Sequence, residues 1–340
     1  MSFFTASRLA RPTARFFTTS PPLPLRSPLP LRAAPRAPSR TPYYTSILLG
    51  SLLGASLATA ALSSSPLRLD APAGTYPFPT GKTVITAPGT APVVSTGHAT
   101  VPSVPATLSL DGTAYTLLGL GLRSVSFLGI NVYVAAVYVA TADLPAVAAA
   151  LVHAVNPTAS TLVGGEQETL AALLMDAERG EEWWDEVLRT AGVRSVVRVS
   201  PVRDTDFGHL RDGFVRAIQA RTRRGASADN KWVFEDGQFG EAVSQFRGIF
   251  GKGKVPKTKE LILQRDERGV LRVWYDGEDG KGEKEKAAKG RKELGKVEDE
   301  RVSRMLWLNY LGGKTVASEA ARRSVVEGLI DLAGRPVGSV

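Results

Sequence analysis

The chain has 340 residues, of which 43% are hydrophobic and 22% charged, and it contains no cysteine. Such values exclude wholesale disorder and a polytopic membrane protein, and the absent thiols exclude disulfides, thiolate metal sites and cysteine nucleophiles. The formal charge of +9 belongs to the N-terminus: residues 1–69 carry eight arginines, no lysine and no acid, while the other 271 carry 34 basic and 33 acidic side chains. A body so near neutrality argues against nucleic-acid binding.

Residues 1–42 set arginines among Ser, Thr and apolar side chains without one acid. That is the composition of a mitochondrial transit peptide and spacer, with plastid import as the rival address. Residues 45–63 are 19 uncharged positions, about 28 Å as a helix, enough for one transmembrane span. Tyr43 and Tyr44 stand where interfacial aromatics belong, and Ser46, Gly50, Gly54 and Ala58 recur every four residues. Such a stripe allows close helix contact, and so a homo-oligomer, in lipid. The expected address is the mitochondrial inner membrane, single-pass, and the positive-inside rule leaves the body in the intermembrane space. Residues 64–105, dense in Pro, Ala, Thr and Ser, read as an extended linker.

The folded domain is expected over residues 106–335. Thr107–Leu110 and Thr113–Leu118 flank Asp111-Gly112 and read as a hairpin. Gly119–Arg123 follows as a glycine-relaxed turn. Ser124–Ala142 is a further run of 19 uncharged residues, but its β-branched and aromatic content makes it two buried strands broken at Gly129–Asn131. Helices are expected over 144–155, over 168–189 with Trp183 and Trp184 as anchors, and over 206–223 behind an aspartate cap. A strand covers 193–199, a helix 239–250, and a second hairpin joins 261–263 to 270–275. Residues 276–300, rich in Lys, Glu and Gly, read as a solvated insertion, with a partner-binding tail as the alternative. Two helices, 300–311 and 317–332, close the domain. Strands, helices, then strands and helices again describe an α+β fold.

Several chemistries fail on spacing. Gly119-Leu120-Gly121 lacks the third glycine of a dinucleotide fingerprint, and Gly312-Gly313-Lys314-Thr315 lacks the upstream glycine of a phosphate loop. His98, His153 and His209 lie too far apart for a helical metal motif, and no nucleophile elbow occurs. What stands out is Arg123, the only charge between Asp111 and Asp143. Its guanidinium stays protonated beside a buried strand, so it requires a ligand anion or a distant acid of the chain unless it stands exposed at the strand end.

Gly119-Leu120-Gly121-Leu122-Arg123, followed by Asn131–Val139, resembles the opening strands of the chalcone isomerase fold. Asp204–Phe214 and Leu311–Ser318 are similar to its fungal mitochondrial members, the "altered inheritance of mitochondria" type. The resemblance runs through residues 106–335 and implies a chalcone isomerase-like open-faced β-sandwich, a large antiparallel sheet covered by helices with a ligand cleft between. In the enzymes an arginine matching Arg123 polarises a substrate oxygen, which is its catalytic role here only if the chain is active. A strand threonine orders the water there, and Tyr133 stands in its place, a departure that argues against flavonoid cyclase activity. In fatty-acid-binding members an arginine and a strand tyrosine hold the ligand carboxylate, a pair that Arg123 and Tyr133 match, with Tyr138 further along the strand. The implied ligand is an amphipathic carboxylate, a fatty acid or a haem held by its propionates, and no cofactor is required; for haem, His209 or His153 would be the axial candidate. The alternatives are a retained intramolecular lyase or isomerase activity and a ligand-free inner-membrane scaffold.

Overall fold

Asp111 and Gly112 reverse the chain with φ of 50° and 73°, the pair of positive angles that a two-residue hairpin turn with native twist requires. The computed structural model describes residues 84–85, 91–125, 129–225, 236–257, 259–277 and 291–335. The leader, the 45–63 span and most of the stretch before residue 91 lie outside these, and among the described residues no helix is long and apolar enough to cross a membrane.

The turn joins β4 (Thr107–Leu110) to β5 (Thr113–Val125), which pairs in turn with β6 (Ile130–Ala140). After the helices α1 (Leu144–Val155), α2 (Gly164–Met175) and α3 (Arg179–Thr190), β7 (Ser195–Pro201) joins the other side of β6. The short β8 (Thr205–Asp206) leads into α4 (Phe207–Gly225) and α5 (Gly237–Ile249), and β9 (Lys254–Val255) returns to pair with β8. Then β10 (Glu260–Arg265), β11 (Leu271–Asp276) and β12 (Arg291–Val297) extend the main sheet, and α6 (Glu300–Leu311) and α7 (Glu319–Ala333) complete the helical layer. The seven strands run in the order β12-β11-β10-β7-β6-β5-β4, each antiparallel to its neighbours.

Alternation along β6 divides the core. Tyr133, Ala135, Val137 and Val139 face the helices, and Val134, Ala136, Tyr138 and Ala140 face the other way. Both sets are buried, so the sheet is covered on two sides, more than the open-faced arrangement implies. The second cover comes from part of the presumed linker. β1 (Val84–Ile85), β2 (Val93–Val94) and β3 (Val104–Pro105) form a small sheet, and Val94, Val101 and Val104 pack on Leu108, Val134 and Ile262.

Three further expectations are corrected. Gly119–Arg123 is not a turn: β5 runs straight through it. The glycines serve close approach instead, since a Cβ on Gly119 would lie 2.4 Å from the Val325 nitrogen and one on Gly121 2.2 Å from that of Ala321. The expected helix 168–189 is two helices, because the Asp176 carboxylate accepts from the backbone N–H groups of Glu178 and Arg179 and starts a new one. Within 276–300, Arg291–Val297 is an edge strand on β11. The Gly312–Thr315 segment joins α6 to α7, and Arg221 and Arg322 donate to the carbonyls of Gly312, Thr315 and Gly313.

The glycine contact is testable by equilibrium urea unfolding. Gly121→Ala loses about 3 kcal/mol because backbone, not a pliable side chain, occupies the space. Gly213→Ala, at a helical position with nothing within 4 Å of the new methyl group, gains about 0.5–1 kcal/mol. A second test concerns Asp143, just past β6, which accepts from the Arg194 backbone N–H at 2.9 Å and from its guanidinium at 3.0 and 2.6 Å. Burial pushes the Asp143 carboxyl up, but Arg194 outweighs it and the group titrates below its ordinary range. The pair's stabilisation is therefore present above about pH 4 and fades as pH falls through the lowered folded value. In acid titrations of stability, Asp143→Asn flattens that limb.

Candidate functional site

A bulge at each end of the β5–β6 ladder sets which side chains reach the helical layer. The register skips Leu118 on β5 and Val132 on β6, so Leu117 packs on the second face while Leu118 turns to the helices. Between the bulges Gly121 opposes Ala135 and Arg123 opposes Tyr133. Beyond Arg123 the strand emerges, with Ser124 and Val125 exposed. Arg123 is thus half-buried at the rim of the layer between sheet and helices.

Arg123 Nη1 donates to the Tyr133 hydroxyl at 2.8 Å, and its guanidinium carbon lies 5.2 Å from the Tyr133 ring centroid. The Tyr133 hydroxyl lies 3.0 Å from that of Tyr310 in the last turn of α6, where either can supply the proton. Tyr133 is 2% exposed and Tyr310 1%. Among the described residues no Asp or Glu pairs with Arg123. Burial acts to lower the Arg123 pKa, and the phenol oxygens of Tyr133 and Tyr310 more than offset it, so the guanidinium keeps its proton. Burial, with Tyr133 next, pushes the Tyr310 hydroxyl well up, so it is a neutral donor at any physiological pH. The array is a fixed cation and two hydroxyls, all able to donate, and its chemical complement is an oxyanion.

From Tyr133 the helix-facing floor of β6 runs through Ala135 to Val137 and Val139, where an apolar cavity opens. It is small, about 30 Å³, and its walls include Leu118, Val147, Leu188, Trp307, Leu311 and Leu329. Rim cation and greasy cavity share both β6 and α6, since Trp307 stands one turn before Tyr310.

The other expected site residues lie apart. Tyr138 points to the opposite face, donating to the Pro105 carbonyl at 2.9 Å and accepting from Arg198 Nη1 at 3.3 Å, in a buried cluster with Glu260 and Ser200. Its alternation with Tyr133 along the strand settles this, five positions being an odd step. His209 is exposed, with Nδ1 2.7 Å from the Asp206 carboxylate, and His153 is exposed on α1. Neither bonds to Arg123, Tyr133 or Tyr310, nor lines the cavity. Among the described residues no cluster of His, Asp and Glu could hold a metal ion. Tyr310 is the member that sequence reasoning missed. Nearly all of α6 is buried, from Val302 to Leu311 and with Ser303 and Arg304 among the buried residues, so the sequence does not single out the face that meets β6.

A family model described as "Chalcone isomerase like" matches residues 113–326. A Debaryomyces hansenii protein named "Altered inheritance of mitochondria protein 18, mitochondrial" is 33% identical over 222 residues, which are 65% of this chain and 68% of that one. A Lachancea thermotolerans protein of the same name is 31% identical over 228 residues, 63% of this chain and 66% of that one. The chain thus matches about two thirds of the length of these relatives. A crystal structure of an Arabidopsis thaliana fatty-acid binding protein superposes with a TM-score of 0.49 at 19% identity, covering 74% of this chain and 99% of that one.

An unneutralised half-buried guanidinium is a cost to the fold. Arg123→Met therefore leaves thermal stability unchanged or raises it, by up to about 2 kcal/mol, because Tyr133 and Tyr310 still satisfy one another. Calorimetric unfolding of the two proteins checks this; a clear loss of stability would mean that Arg123 serves the fold itself.

Proposed function

The chain belongs to the chalcone isomerase-like family, and on that footing we propose that it is a non-catalytic carrier of an amphipathic carboxylate. Arg123, Tyr133 and Tyr310 hold the carboxylate, and the apolar floor of β6 leads its tail toward the cavity. The observation that carries this reading is the guanidinium at the rim whose only hydrogen-bond partner among the described residues is the Tyr133 hydroxyl. It has N–H donors to spare beyond the one that Tyr133 takes, and each charge-assisted bond contributes about 1.5–3 kcal/mol. Burying the tail adds roughly 25 cal/mol per Å² of apolar surface.

The address is part of the same proposal. An acid-free, arginine-rich leader and relatives named as mitochondrial support a mitochondrial location. Residues 45–63 would tether the body to the inner membrane, within reach of lipid-derived acids, with the body in the intermembrane space.

Isothermal titration of the purified chain with palmitate and with hemin tests the reading. Palmitate binds, and Arg123→Ala weakens it roughly 10- to 100-fold, the loss of one or two charge-assisted bonds. Tyr133→Phe costs less. Equal affinity of the chain and Arg123→Ala for both ligands defeats the carboxylate assignment. The same proteins incubated with a 2′-hydroxychalcone show no loss of enone absorbance above the Arg123→Ala control; turnover there replaces the carrier with an isomerase.

A further inference from the structure

The end of the sheet at which Arg123 emerges also concentrates charge. Residues 70–340 are almost balanced, with 34 basic and 33 acidic side chains, yet residues 247–259 hold five basic ones and no acid. The pairing of β9 with β8, and the Phe207 N–H donating to the Gly253 carbonyl at 3.2 Å, bring Lys252, Lys254 and Lys257 to one corner with Arg203. All four are exposed, and among the described residues no carboxylate pairs with any of them. The nearby acids are engaged: Asp206 with His209, Asp212 with Arg211, and Asp204 as acceptor of the Lys257 backbone N–H at 3.1 Å. A surplus of bare cations on one corner of a near-neutral body attracts an anionic surface.

Beside this corner stands an apolar one. Val125 and Ile130 oppose each other at the end of the β5–β6 ladder, and they are two of the four large apolar side chains exposed among the described residues. Both features share one end of the sheet. The Val202 N–H, one residue before Arg203, donates to the Val132 carbonyl at 3.1 Å, and Lys257 leads into β10 on the other side of β7. Two strand spacings separate β6 from β10, about 10 Å. Exposed aliphatic side chains beside unpaired cations are the two contacts by which a protein rests on a charged bilayer: the first enter the acyl boundary, the second meet the headgroups. We infer that this end of the sheet docks on an anionic membrane surface, with Val125 and Ile130 inserted and Arg203, Lys252, Lys254 and Lys257 on the headgroups. An acidic protein would meet the cations but has no call on the paired aliphatics. The tether proposed at residues 45–63 brings the body to a bilayer; this surface selects the side that meets it. Arg123 lies two residues before Val125, so a docked body presents its guanidinium to the lipid. An acid then passes between bilayer and protein without crossing water, a consequence that rests on the carboxylate reading, whereas the docking does not.

The absence of cysteine allows a site-specific test. The full chain carrying Ile130→Cys, labelled with an environment-sensitive dye, is mixed with vesicles of phosphatidylcholine alone or with a third of phosphatidylglycerol. Emission shifts to the blue on the anionic vesicles, not on the neutral ones, and the shift is lost as salt screens the contact. The same dye on Val163→Cys does not shift. That exposed position lies at the far end of α7, where the Leu162 N–H donates to the Ala333 carbonyl, whereas Ser318 at the near end bonds to Leu122. Lys254→Gln with Lys257→Gln lowers the docked-to-free ratio by about 30-fold, roughly fivefold for each cation at the surface, and Val125→Asn lowers it too. Because the same leader accompanies every variant, only contact by this face produces the contrast. Equal shifts on both vesicle types or at both dye positions, a shift undiminished by the lysine changes, or no shift at all overturns the inference. A shift with polyglutamate and none with vesicles overturns it in favour of an acidic protein partner. Palmitate binding is measured apart from all of these, so the docking and carboxylate readings fail separately.

Discussion

The seating of α7 on β5 governs the rest. With no side chain on Gly119 or Gly121, the helix backbone at Ala320–Ala321 and Ser324–Val325 lies against the strand itself. Ser318 and Ser324 fasten it: Ser318 Oγ donates to the Leu122 carbonyl at 2.7 Å, and Ser324 Oγ accepts from the Leu120 N–H at 3.1 Å. Close contact over these few residues shuts the middle of the β5 side. On one side of it the strand carries Arg123 out to the rim. On the other, the bulge at Leu118 turns a large side chain inward and the helices stand off, which is where the cavity lies. The two regions to which we assign function are thus the two ends of one packing decision.

Charge is distributed with the same economy. Most buried or half-buried arginines near the core meet a carboxylate: Arg194 meets Asp143, Arg198 meets Glu260, Arg221 meets Glu181 and Arg304 meets Asp185. Arg322 instead lies against the carbonyls of Gly313 and Met175. Such pairs offset the desolvation of each guanidinium and explain how a near-neutral body tolerates so many of them. Arg123 stands outside this pattern, facing phenols rather than acids, and the contrast sets it apart more firmly than its burial alone.

Strong local chemistry was legible in the sequence. Asp111-Gly112 announced its turn, the β-branched run announced β6, and the aspartate cap announced α4, whose Leu210, Phe214 and Ile218 lie in the core. Arg123 was legible as the lone charge among apolar strands, and Tyr133 joined it only through the resemblance to the chalcone isomerase fold. What failed was whatever depends on a distant partner. Gly119 and Gly121 look locally like a turn, and only α7, some two hundred residues on, makes them strand. Tyr310 sits on a helix buried on nearly every side, so nothing singled it out. Tyr138 was assigned to the site although strand alternation puts it on the opposite face from Tyr133. Residues 91–106 are too poor in charge and too rich in Pro and Thr to look folded, yet their few valines suffice once a hydrophobic face is waiting for them.

That last segment has a consequence for how the molecule comes together. The face it caps is built from β4 to β7 and from Ile262 on β10, so the docking surface does not exist until most of the polypeptide has been synthesised and paired. β2 and β3 can form their ladder early, but they have nowhere to settle. The part of the domain that leaves the ribosome first is among the last to find its place.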